Sequence, residues 1–118
     1  STLTENGDSI EVEVWGSKAA NAAPVTLQLN VGGASLNTGS STGSGFSWSM
    51  KAQGGRRSTA VQRYFFSGVR AALPLTASST GDTSTDSVAL TISVTGTDAS
   101  AATGNMLLDG LVIKFFKV

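Results

Sequence analysis

The chain has neither cysteine nor histidine among its 118 residues. Without them there is no disulfide framework, no Cys/His zinc or iron–sulfur site, no thiol nucleophile and no imidazole base. A Cys-free fold suits either redox compartment, so the absence leaves location open. Charge is also scarce: 14% of residues are charged and the formal net charge is zero. Only two prolines occur, and no apolar run approaches the roughly 20 residues of a membrane-spanning helix. No charged start followed by an apolar stretch and a small-residue site marks a signal peptide. Membrane insertion is not expected.

What the chain does contain is Ser, Thr, Gly, Ala and Val, a mixture poor in helix formers and rich in strand and turn residues. Its length fits one domain, residues 1–118, burying roughly two-thirds of its unfolded surface. Such a domain holds its core without metals or cross-links.

The hydrophobic pattern has period two almost throughout. In "SIEVEVW", Ile10, Val12 and Val14 alternate with Glu11, Glu13 and Trp15. In "PVTLQLNV", Val25, Leu27, Leu29 and Val31 alternate with Thr26, Gln28 and Asn30, and Pro24 takes the strand start where it is tolerated. Gly32 and Gly33 then predict a hairpin with a short return through Leu36. "FSWSMKA" alternates Phe46, Trp48, Met50 and Ala52 with serines and Lys51. "AVQRYFFSGVRAALPL" is strand-like from Ala60, its inward phase blurred by the consecutive Tyr64, Phe65 and Phe66. "SVALTISVTG" places Val88, Leu90, Ile92 and Val94 inward, and "GLVIKFFKV" places Leu111, Ile113 and Phe115 on one face. "AANAA", Ala19–Ala23, reads as a connection.

Seven to eight such strands predict an all-β fold, an antiparallel β-sandwich. Polar loops at Asn37–Gly45, Thr76–Thr85 and Gly96–Asn105 are long for hairpins and fit the crossings of a jelly roll. The last strand is unusual, because its outward phase carries Val112, Phe116 and Val118. Exposed apolar patches of this kind mark contact surfaces, so these three residues are read as a subunit interface. Coverage of both faces within one chain is the alternative.

Candidate chemistry is sparse. Glu11 and Glu13 share a strand face and would suit paired-carboxylate catalysis, but alternating acids on a strand are ordinarily a solvated surface. Serines abound with no histidine to serve as their base, so the chain is not read as an enzyme and no catalytic residue is assigned. Asp82, Asp86 and Asp98 would supply oxygen ligands to Ca²⁺, yet their spacing matches no known loop and Asp beside Gly or Ser is normal turn chemistry. No metal and no cofactor is expected.

"QGGRRSTAVQRYFFSGVR", Gln53 to Arg70, packs four arginines among three aromatic residues. A phosphate cradle needs a glycine loop opening a helix, and the flanks here are strands. The surrounding charge is one-sided: from Val14 to Gly81 every charged residue is basic, namely Lys18, Lys51, Arg56, Arg57, Arg63 and Arg70. Nucleic acid would need aromatics and cations on one face, whereas adjacent Arg63 and Tyr64 point to opposite faces. Nucleic-acid binding is therefore not expected. Trp15, Arg63, Tyr64 and Arg70 are the candidates for ligand contact, since aromatic faces pack on sugar C–H groups while arginines read hydroxyls.

Laid in order, "TLTENGDSIEVEVWG", "AANAAPVTLQLNVGG", "STGSGFSWSMKA", "RRSTAVQRY" and "LVIKFF" resemble a C-terminal β-sandwich domain of bacteriophage tail-fibre, tailspike and other virion proteins. The resemblance covers nearly the whole chain and rests on the order of short motifs. It departs at Arg57-Ser58-Thr59-Ala60, where the usual turn carries a glycine. It implies a jelly-roll-like fold, a homotrimer about a fibre axis, a location in the virion and recognition of a bacterial surface polysaccharide or lipopolysaccharide. The start at Ser1 then fits a fragment or C-terminal domain of a longer virion protein. A trimerisation, capping or capsid-decoration module without ligand is the alternative. A polysaccharide-cleaving role would need an upstream domain.

Overall fold

The computed structural model describes residues 3–19, 25–32, 34–37, 45–59, 61–70, 73–74, 81–83, 91–98 and 106–118. These form nine strands: β1 Ser9–Lys18, β2 Val25–Val31, β3 Ala34–Asn37, β4 Phe46–Ser58, β5 Val61–Arg70, β6 Leu73–Pro74, β7 Gly81–Thr83, β8 Ile92–Asp98 and β9 Met106–Phe116. No helix occurs among the described residues. The fold is all-β, as the period-two pattern predicts. Two of the nine strands, β6 and β7, have only two and three residues: β6 is separate from β5 although the sequence reads as one strand-like stretch through Leu75, and β7 lies within the expected loop Thr76–Thr85.

All pairings are antiparallel and fall into two sheets. The larger runs β6-β5-β4-β1-β9, with β7 also pairing β5, and the smaller runs β3-β2-β8. Expected strand residues Ser87–Leu90, the connection from Ala20 to Ala23 and most of the loop from Asn37 to Gly45 lie outside the described residues.

The inward phases of β1, β2, β4 and β5 meet in one core. Val12, Val14, Leu29, Val31 and Met50 are fully buried, with Ile10, Ala52, Trp48, Tyr64 and Phe66 around them. Each such aliphatic side chain contributes about 1.5–3 kcal/mol by leaving water. The β5 phase, ambiguous in sequence, resolves with Gln62, Tyr64 and Phe66 inward and Arg63 and Phe65 outward. Buried Gln62 is tolerated because its Oε1 accepts a hydrogen bond from the Tyr64 hydroxyl at 3.0 Å.

β4 runs straight through Gly54 and Gly55, which pair with β1 on one side and β5 on the other. The arginine-rich segment is therefore the end of one strand, a turn and the next strand, as its flanks predict. A register shift between Arg56 and Ser58 precedes that turn.

The N-terminal turn Glu5–Asp8 closes with Asp8 N–H donating to Glu5 O at 3.0 Å. Gly7 stands at φ 97, the left-handed geometry that the third residue of a type II turn requires. The turn docks on β4 through Gly7 N–H to Arg56 O and Arg56 N–H to Asp8 O, both 3.0 Å.

Candidate functional site

The outer face of the larger sheet is built from the polar phase of β1 and its neighbours. Glu11, Glu13 and Trp15 lie opposite Gln53, Lys51 and Ser49 of β4, and opposite Lys114, Val112 and Gly110 of β9. Lys51 Nζ meets Glu11 Oε1 at 2.8 Å. That hydrogen bond holds the Glu11 carboxyl below its ordinary range and holds the Lys51 ammonium above its own. A glycosidase acid needs the opposite shift, so the pairing disfavours Glu11 as a proton donor.

Trp15 is 39% exposed, and its indole lies across Gly110, where a Cβ would overlap Cζ2 of the ring. The register slips beside this pair: Trp15 faces Gly110, but Gly16 faces Leu108, leaving Asp109 as an extra residue. The indole thus stands as a wall between two shallow clefts. One, about 400 Å³, is lined by Glu11, Glu13, Val112 and Lys114, and the other, about 310 Å³, by Ser47, Ser49, Val69 and Asp109.

The other three predicted ligand residues do not join Trp15. Tyr64 is a correction: it is 1% exposed, inside the core, and burial pushes its hydroxyl pKa up to about 12. Consecutive aromatics cannot all face one way on a strand, and the inward phase took Tyr64 and Phe66. Arg63 is exposed on the outer face, two strands away at the register of Ser9 and Gly55. That offset from Trp15 is six residues, roughly 20 Å along the strand direction. Arg70 lies on the inward phase at the far end of β5, its guanidinium carbon 4.9 Å from the centre of the Phe46 ring. A further cleft of about 430 Å³ has Gly55 and Ser9 in its floor and Arg57, Arg63 and Phe65 around it.

Asp82 and Asp98 lie on β7 and β8, which belong to different sheets, and Asp86 lies outside the described residues. Among the described residues no group of three acidic side chains is placed to hold a metal.

The predicted interface residues Val112, Phe116 and Val118 are exposed on β9 and just beyond it. Sequence reasoning missed the other half of this surface. Leu111, Ile113 and Phe115 follow the inward phase yet remain 46%, 37% and 49% exposed. Their alternation matches a core-facing strand, but β9 ends the larger sheet and these three side chains stay exposed there. Leu107 and Leu108 are exposed too, so β9 is apolar on both faces.

No protein-family model matches this chain, nor does any curated protein or solved structure.

Proposed function

We propose that this chain is a non-catalytic, self-associating β-sandwich module of a phage virion appendage, a jelly-roll-like homotrimer that contacts saccharide on the host surface. The observation carrying the association is β9, an edge strand with apolar side chains on both faces. Eight of them between Leu107 and Val118 are each more than a third exposed. Together they present on the order of 700 Å² per protomer, close to the roughly 800 Å² that each partner contributes to a standard stable interface. Long apolar edge strands are otherwise avoided, because they pair indiscriminately. The virion setting, the trimer and the saccharide rest on the ordered motifs from "TENGD" to "LVIKFF".

Light scattering coupled to size exclusion tests the association. The expected mass is three chains, and the Leu111→Ser/Phe115→Ser double variant is expected to run as one. A wild-type monomer overturns the association, and a two-chain mass overturns the trimer.

A second reading, a trimerisation or capping module without ligand, is favoured by the dispersal of Arg63, Tyr64 and Arg70 away from Trp15. Absence of binding to host polysaccharide or lipopolysaccharide by a trimer of correct mass would select it.

A further inference from the structure

We infer that the cleft on the outer face beside the β4–β5 turn, bounded by Arg57, Arg63 and Phe65, binds one anionic pyranose residue of a glycan. This rests on the saccharide reading above and gives it a site and a charge. The strand register builds the floor and one wall from outward-facing positions. Arg63, Gly55 and Ser9 lie in one row across β5, β4 and β1, and Phe65 and Gln53 lie in the next. Gly55 carries no side chain and Ser9 a short one, so the sheet surface is low there between taller neighbours. The hollow of about 430 Å³ falls within the range of small-molecule pockets. The ring that shares the outer phase with Arg63 is Phe65, two residues along the strand, and not Tyr64.

Two observations decide what the cleft takes. Phe65 is 65% exposed, the most exposed aromatic ring among the described residues, and it sits three strands from β9, so association through β9 does not account for it. The charges around it are guanidiniums. Arg57 is exposed and has no hydrogen-bond or ion-pair partner among the described residues. Arg63 has Asp82 at its register position on β7, and its five N–H donors suffice for a protein partner and a ligand oxygen together. Asp8, the one acid among the described lining residues, is buried, and its carboxylate already accepts from Thr4, Glu5, Lys117 and Val118. A carboxylate or phosphate between Arg57 and Arg63, on a ring whose C–H face packs against Phe65, answers both observations. The Gln53 amide and the Ser9 hydroxyl are then at hand for ring hydroxyls. A neutral sugar would leave the guanidiniums to water, and a bare anion would leave Phe65 uncovered. The rows toward the middle of the sheet face carry Glu11 and Glu13, so the basic surface is local and suits one anionic group better than a run of phosphates.

The test is an NMR titration of the intact protein that follows the Gly55 and Ser9 backbone amides. The probes are two pairs matched except in charge, sialyllactose against lactose and trigalacturonate against galactotriose, with inorganic phosphate and hexathymidylate as the other anions. At least one anionic saccharide is expected to shift both amides and to bind more tightly than its neutral counterpart. Arg57→Gln and Arg63→Gln are each expected to weaken that binding about tenfold, the scale of one hydrogen bond to a charged group. Phe65→Ser is expected to weaken the saccharide and leave inorganic phosphate unchanged. All three side chains are exposed, and each variant is checked for an unchanged melting transition. Equal binding of the neutral counterparts overturns the charge selectivity, and phosphate bound as tightly as the saccharide overturns the ring contact. Tighter binding of hexathymidylate at the same amides overturns the glycan in favour of nucleic acid. Binding of an anionic saccharide or of host lipopolysaccharide that all three variants retain overturns the site and leaves the saccharide reading standing. No response to any saccharide, host lipopolysaccharide included, overturns both.

Discussion

Trp15 is held in place by the missing side chain of Gly110. The two residues face each other across the β1–β9 ladder, and the indole occupies the space where a Cβ would stand. Gly110→Ala is therefore expected to displace the ring and destabilise the fold by about 1–3 kcal/mol, the usual cost of overpacking. Trp15 emission should shift to the red as the ring moves into water. Trp15→Ala combined with Gly110→Ala should recover most of the loss, because the clash has one source. Denaturant titration of the three variants measures this.

Asp8 clasps the two ends of the chain. Its Oδ1 accepts the Val118 N–H at 3.0 Å, and its Oδ2 accepts Thr4 N–H and Glu5 N–H at 3.0 Å and Lys117 Nζ at 2.6 Å. The Lys117 bond, followed by the backbone donors, holds the carboxyl well below its ordinary value. A depressed folded pKa gives stability that is full above the unfolded value, 3.8, and is lost as pH falls toward the folded one. Asp8→Asn should lower the melting temperature at neutral pH, and the gap from wild type should close in acid below pH 3.8. A gap that stayed constant down to the acid limit would remove the charge from the explanation.

β9 should respond to dilution where the core does not. Leu29 is fully buried in the single chain, so Leu29→Ala should cost about 2–5 kcal/mol at any protein concentration. Leu111 is half-exposed, so Leu111→Ala should cost a dilute, dissociated sample much less. In the assembled state its loss should grow with concentration, because association stabilises by mass action. Melting curves across a hundredfold dilution series separate the two variants. Parallel losses for both would place Leu111 with the core.

The same strand shows where sequence reading stops. In β1 the alternation of Ile10, Val12 and Val14 with Glu11 and Glu13 names both faces, since charge marks the wet side. In β9 both phases are apolar, and no pattern within eleven residues tells which phase a second sheet will cover. For Tyr64, Phe65 and Phe66 the inward phase carries a polar neighbour as well, Gln62, whose Oε1 accepts from the Tyr64 hydroxyl, so polarity does not mark the wet side there. The site divides in the same way. Trp15 was legible as an aromatic on an otherwise acidic face. Asp109 and Gly110 were not, because the bulge that presents them arises from pairing between segments about ninety residues apart.

The Tyr64–Gln62 pair gives the last expectation, at the alkaline end. The hydroxyl donates to Gln62 Oε1 at 3.0 Å inside the core, and burial raises its pKa from 10.0 to about 12. Between those values the unfolded chain loses the phenolic proton and the folded chain keeps it. Stability contributed by neutral Tyr64 is thus complete below pH 10 and declines as pH rises toward 12. Tyr64→Phe keeps the ring but leaves Gln62 Oε1 without its donor, at a cost of about 1–3 kcal/mol at neutral pH. The variant should in return lose the alkaline decline, so its stability curve should approach that of wild type as pH climbs past 10. Gln62→Leu added to Tyr64→Phe removes both polar partners and should regain part of the neutral-pH loss. Urea unfolding of all three proteins at pH 7 and pH 11 checks both signs, and an alkaline decline that persists in Tyr64→Phe would assign it to another group.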